Sequence, residues 1–306
     1  MVMLNFLTQQ LLKEYILSMR DYVIFVDSAC DISCDLLNEW GVKFCSLSLA
    51  FSDDPNEYQD HEIPKSEFYH KMREGSIPKT SAANMGKFYD AFEDIAKEGK
   101  DILYLGFSSG LSATVNFARE AATEIMEQYE GCNIVVVDSL CASAGYGLLL
   151  KLLVDKKNEG LPIDDLATFA ENTKMNIMHW FTVDDLKYLK AGGRISATTA
   201  LVGGMLNIKP VMKVDENGKL VSVSKARGRK AALKMMADMY NQTAINKKDG
   251  MVYISHGDCI DDANMLADML RESSGATVDL TTYVGPVIGS HSGPGTLALF
   301  FLVNER

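Results

Sequence analysis

A chain of 306 residues with 47% hydrophobic and 23% charged residues has material for about two globular cores. Its 30 Lys and Arg against 41 Asp and Glu leave a net charge of −11. Nucleic-acid binding and docking on anionic membranes both rest on clustered basic residues, so both are disfavoured. The six cysteines, at 30, 34, 45, 132, 141 and 259, include no CxxC pair, which argues against a zinc site or a disulfide framework and for reduced thiols in a cytoplasmic protein.

Residues 1–20 carry apolar residues at roughly helical spacing, broken by polar ones throughout. They have no basic n-region and no small-residue cleavage site, so they do not read as a signal peptide, and they are too interrupted to span a bilayer. Two readings stand: Met19 as the true start, or an amphipathic helix that packs on the body or on a partner. From Asp21 onward, short apolar runs alternate with helical patterns. Residues 22–26 predict a strand ending in Asp27-Ser28, 32–40 a helix, 43–51 a strand and 87–98 a helix. Residues 101–106 predict a strand running into serines, 112–129 a long helix, 134–137 a strand ending in Asp138-Ser139, and 142–158 a helix. Continuous apolar strands alternating with helices predict a parallel sheet covered on both faces, with ligands beyond the strand C-termini. Asp27-Ser28, Ser108-Ser109 and Asp138-Ser139 would line that rim.

After a helix over 161–176 the pattern changes. Residues 179–183 read as a strand, and 208–214 and 220–223 as a hairpin around Asp215-Glu216-Asn217-Gly218. A helix over 229–246, a strand over 251–255, a helix over 261–274 and a strand over 277–283 follow. The fold class is therefore α/β with two domains: an extension at 1–20, a parallel-sheet three-layer domain at 21–165 and a mixed-sheet domain at 166–306.

Four small-polar motifs carry the chemistry. From Gly285 to Phe300, four glycines, two prolines and two serines surround His291 and precede an apolar run, a loop that positions the imidazole. The others are Lys79-Thr80-Ser81, the GFSSGLS stretch from Gly106 to Ser112, and Gly192-Gly193-Arg194. GFSSG fits the GxSxG nucleophile pattern with Ser108 in the middle and His291 or His256 as base, the signature of a stand-alone serine esterase or acyl hydrolase. The competing reading is that Ser108 to Ser112 cap the following helix, whose free amides favour a carboxylate. Gly293 to Thr296 lacks the GK of a phosphate loop, so no nucleotide site is expected. Asp27, Asp138 and Asp258 suit helix caps better than magnesium. Arg194 can grip a carboxylate or phosphate, or simply pair with a surface acid. The methionines of the second half, Met205, Met212, Met235, Met236, Met239, Met265 and Met269, suit core packing or a flexible apolar pocket.

Taken together, Asp27-Ser28-Ala29-Cys30-Asp31, Lys79-Thr80-Ser81, Ser108 to Ser112, Asp138-Ser139, LKAGGRIS at 189–196, NIKP at 207–210 and GSHSGPG at 289–295 resemble the DegV family, in order from Asp21 to the C-terminus. The resemblance implies a two-domain, non-enzymatic lipid-binding protein that buries a long-chain fatty acid between its halves. Thr80 and Ser112 would hydrogen-bond the carboxylate, with Ser81 and Ser109 nearby, His291 beside the head group and Arg194 at the rim. It also implies a partner, an ATP-dependent fatty acid kinase that phosphorylates the presented carboxylate, so that this chain carries no cofactor, metal or catalytic residue of its own. A lipid sensor is the remaining alternative. Ala82-Ala83-Asn84 replaces the family's Gln, Pro and Ser after the KTS motif, and Ala113 replaces a glycine.

Overall fold

In the computed structural model, which describes residues 20–81, 83–195 and 207–306, the first apolar run forms β1 (Tyr22–Asp27), buried at all six positions. It pairs in parallel with β2 (Lys43–Cys45) and β6 (Asp101–Gly106), and β6 with β7 (Ile134–Asp138). The resulting sheet has the order β2-β1-β6-β7. Full burial of β1 and β6 is what a parallel sheet covered on both faces demands. α1 (Cys34–Glu39) starts at Ser33, whose hydroxyl accepts the Leu36 N–H, and α3 (Met85–Lys97) starts at Asn84 in the same way. α3 packs on α4 (Thr114–Gln128), and α5 (Ser143–Asn158) packs on α6 (Ile163–Thr173).

Several predicted elements change shape. The expected strand over 43–51 divides: β2 runs parallel to β1, whereas β3 (Ser48–Phe51) lies between β4 (Glu57–Gln59) and β5 (Pro78–Ser81) in a separate antiparallel sheet. The chain turns between them where the Ser28 hydroxyl accepts the Leu47 N–H at 3.1 Å. α2 (Lys65–Glu74) fills the stretch that carried no sequence assignment. The helix expected over 161–176 starts only after Pro162, as α6, and ends in a 3-10 turn at Lys174–Asn176. A boundary at 165 falls inside α6, whose Leu166, Ala167 and Ala170 share the core of the parallel sheet. The chain crosses to the second sheet at the 3-10 turn. Residues 1–19, Ala82, Ser196 and Met205 lie outside the described residues.

The second sheet contains β8 (Ile177–Thr182), β9 (Ile208–Val214), β10 (Leu220–Arg227), β11 (Val252–His256), β12 (Leu280–Tyr283) and β13 (Leu297–Leu302), in the order β10-β9-β8-β13-β11-β12. Only β11 and β12 run parallel. The hairpin is present, its second strand extended to Arg227 through an irregularity between Ser222 and Ser224. α8 (Arg229–Thr243) and α9 (Ile260–Ser274) close one face with a core of their own that includes Leu233, Met236, Leu266, Ile254 and Phe301. α7 (Lys187–Ala191) and α10 (Pro286–Ser292) complete the domain.

α5 joins the two halves. It contacts β8, β11 and β13 of the second sheet as well as α6 and the turn at Ser28–Cys30, and every residue from Ser143 to Leu150 is buried. Such close packing requires Gly145: a Cβ there would lie 2.3 Å from His179 Nε2 and 2.6 Å from Phe300 Cδ1. Helix propensity alone favours Gly145→Ala by about 1 kcal/mol. The overpacking is expected to win, destabilising the variant by about 1–3 kcal/mol in urea unfolding. A variant as stable as the wild type would contradict this contact.

Candidate ligand site between the two sheets

The glycine-rich segment expected as a loop is instead a short helix for most of its length. α10 begins with Pro286, whose missing N–H costs nothing at the first turn. Two buried carboxyls of the first domain satisfy its leading amides: Asp31 Oδ1 accepts the Gly285 N–H at 2.9 Å and Asp60 Oδ1 the Val287 N–H at 2.8 Å. The Tyr69 hydroxyl donates to the Val284 carbonyl at 2.7 Å. Burial, followed by the proximity of Asp60, holds the Asp31 carboxyl well above the usual carboxylate range, and burial also raises Asp60.

His291 sits on the last turn of α10, and its Nε2 lies 2.8 Å from the Thr80 hydroxyl on β5, across the domain interface. Its other nitrogen faces backbone: a Cβ on Gly192 would lie 2.3 Å from Nδ1. The first glycine of the Gly-Gly-Arg motif is thus needed for the ring to fit. Gly193, at φ +71°, turns the chain so that Arg194 reaches back, its Nε donating to the Leu111 carbonyl at 3.2 Å and Nη1 to the Gly192 carbonyl. No carboxylate among the described residues pairs with Arg194, and burial lowers the pKa of its guanidinium. A half-buried cation that no described carboxylate neutralises favours an anionic ligand.

Thr80, His291 and Arg194 border a cavity of about 160 Å³ between the two sheets. Ser81, Ser112 and Ser292 join them, and the remaining wall is largely apolar, with Phe107, Phe181, Leu189, Leu220, Val284, Ile288 and Phe300. The Ser112 hydroxyl lies 2.8 Å from Thr114 Oγ1 at the start of α4. Ser292 Oγ is buried without a hydrogen-bond partner among the described residues. Nothing in the sequence singled it out, although the SHS triplet places it next to His291. None of the described second-half methionines lines this cavity.

Other predicted site residues lie elsewhere. Ser109 is exposed and off the cavity wall, with its N–H donating to Asp138 Oδ1 at 3.2 Å. Ser108 donates its hydroxyl to the Gly218 carbonyl of the hairpin turn at 2.8 Å, so it acts as a strut between domains and meets no histidine. The expected polar rim is spent internally. Asp27 is buried, accepts hydrogen bonds from Tyr104, Phe107 and Ala29, and is pushed up to about 6 by burial. Asp138 holds the Ser109 and Leu140 amides, and Asp258 pairs with Arg73. The described residues contain no His, Cys, Asp and Glu cluster placed for a metal, and none of their helices is long and apolar enough to cross a membrane.

Burial, with Arg194 nearby, pushes His291 down from 6.5 to about 4. Between those values the unfolded chain binds more protons than the folded one. The contribution of a neutral His291 to stability is therefore full above about pH 6.5 and lost as pH falls toward about 4. The difference in unfolding free energy between wild type and His291→Gln should be flat above that window and shrink within it. A difference independent of pH from about 7 to about 4.5 would contradict a buried neutral ring.

The comparisons with known proteins agree on one relationship. A family model described as "Uncharacterised protein, DegV family" matches residues 21–304. A DegV domain-containing protein of Clostridium perfringens is 42% identical over 291 residues, 94% of this chain and 99% of the relative. A fatty-acid-binding DegV family protein from Thermus thermophilus has a TM-score of 0.83 at 30% identity, over 93% of this chain and 100% of that one. A DegV lipid-binding protein from Thermotoga maritima gives 0.81 at 27%, over 94% and 99%. A stearic-acid-binding protein from Eubacterium ventriosum gives 0.83 at 25%, over 92% and 98%. With the family model spanning nearly the whole described body and a relative this similar along its length, the chain belongs to the DegV family.

Proposed function

We propose that the chain binds one long-chain fatty acid in the cavity between its sheets and presents the carboxylate to a partner fatty acid kinase that supplies ATP. The observation that carries the reading is the asymmetry of the cavity: a largely apolar wall ends at Thr80, His291, Ser292 and an Arg194 that has no carboxylate partner among the described residues. Solved relatives described as binding fatty acids share the fold over more than nine-tenths of this chain. Each buried CH₂ contributes about 0.8 kcal/mol, so an acyl chain in an apolar cavity can supply most of the affinity. The hydroxyls of Thr80, Ser81 and Ser112 then select which end is presented and offset part of the carboxylate's desolvation.

In this reading His291 and Arg194 face the partner. A neutral imidazole can donate a hydrogen bond, and the guanidinium can stabilise charge on a phosphoryl group transferring to the carboxylate. Six free cysteines suit a reducing compartment, in line with a cytoplasmic location. Ser108, occupied with the Gly218 carbonyl, gives a hydrolase no nucleophile–base pair.

Thr80→Ala combined with Ser112→Ala should weaken fatty acid binding by roughly a hundredfold, because two hydrogen bonds to a charged group are removed. Calorimetric titration of delipidated protein measures this, and wild-type affinity in the double variant would overturn the head-group assignment. Arg194→Ala and His291→Ala should lower kinase-dependent acyl phosphate formation more than fatty acid affinity. Unchanged turnover in both would remove them from the transfer step.

A further inference from the structure

The hydroxyls on the cavity wall differ in whether they are already bonded. Thr80 shares its hydroxyl with His291 Nε2, and Ser112 with Thr114 Oγ1. Ser143 bonds Asp31 and Ser255, and Thr296 donates to the Gly293 carbonyl. Ser81 is exposed, where solvent can satisfy it. Ser292 lines the same cavity, is only 6% exposed, and its Oγ has no hydrogen-bond partner among the described residues.

The helix itself supplies the contrast. A serine inside a helix commonly donates to the carbonyl four residues back. Ser290, two residues earlier in α10, does so, with its Oγ 2.7 Å from the Pro286 carbonyl. Ser292 makes no such bond to Ile288. An alanine would fill nearly the same space without a buried donor to satisfy. Because nothing ties the Ser292 hydroxyl, turning it about χ1 toward a ligand forfeits no hydrogen bond.

Its place in the chain fixes what this donor meets. Ser292 directly follows His291, with Cα atoms about 3.8 Å apart, and its side chain leaves the helix about 100° further round. The two residues therefore address one end of the cavity from different directions, at the end that Thr80 and Arg194 also border. A methylene group cannot accept a hydrogen bond, whereas a carboxylate offers two acceptor oxygens. We infer that Ser292 is a further head-group residue, whose hydroxyl donates to one carboxylate oxygen of the bound fatty acid. The carboxylate is then gripped by a hydroxyl of the second domain as well as by Thr80, Ser81 and Ser112 of the first. This rests on the fatty-acid reading and adds a donor to it.

The test compares wild type with Ser292→Ala as delipidated full chains, by thermal unfolding without ligand and by calorimetric titration with octadecanoate and its neutral methyl ester. The variant should unfold at the wild-type temperature or above it, because a buried donor without a partner has been removed. It should bind octadecanoate roughly tenfold more weakly, with a smaller loss for the ester, whose carbonyl carries no charge. Wild-type octadecanoate affinity in the variant overturns the inference. So does unfolding well below wild type, since the hydroxyl would then already serve the protein. An equal loss for acid and ester also overturns it, as a change of cavity shape. If wild type binds octadecanoate, each of these results leaves the fatty-acid reading standing; if wild type binds no octadecanoate, that reading ends and this inference with it.

Discussion

α5 has no solvent face along its first two turns, because it is shared by the parallel sheet's domain on one side and the mixed sheet on the other. This single arrangement sets the rest of the molecule. A helix buried all round must have short side chains where backbone or rings press on it, which places Gly145 against His179 and Phe300. Its N-terminal end, pointing between the sheets, puts Ser143 on the cavity wall. Burial of this helix leaves the two halves with one continuous apolar cluster that runs from β1 through α5 to β8 and β13. The cavity is the gap that remains between the start of α5 and α10.

α10 is anchored to the opposite domain at both ends, and the two anchors differ in kind. At its start, buried carboxyls satisfy backbone amides; at its finish, a neutral imidazole meets the Thr80 hydroxyl. Arg194 adds a cavity-lining positive charge that no carboxylate among the described residues pairs, turned back by a glycine pair and bonded to two carbonyls. In the proposed function, affinity for an acyl chain and selection of its orientation come from different parts of one wall: apolar side chains for the first, a few polar groups across the domain interface for the second.

Much of the framework could be read from local pattern. Continuous apolar runs marked β1, β6 and β7, and Asp215-Glu216-Asn217-Gly218 marked the hairpin, because those signals act within a few residues. Thr80, Arg194 and His291 were flagged by their small-residue surroundings and do converge on one cavity. What stayed hidden depends on contacts remote in sequence. Nothing near Gly285 announces that its amide will meet Asp31, 254 residues away, so the glycine-rich pattern predicts a loop where the structure has a helix. Ser108 looked like a nucleophile because its partner carbonyl is 110 residues off. Ser143 and Ser255 sit in ordinary helix and strand patterns, and only the pairing of domains makes them neighbours.

Native mass spectrometry of the purified full chain, followed by solvent extraction and identification of what it carries, tests the central claim most directly. The account predicts one fatty acid per chain, either co-purified or taken up on addition to the delipidated protein. A protein that is empty after purification and stays empty when offered fatty acids would contradict it.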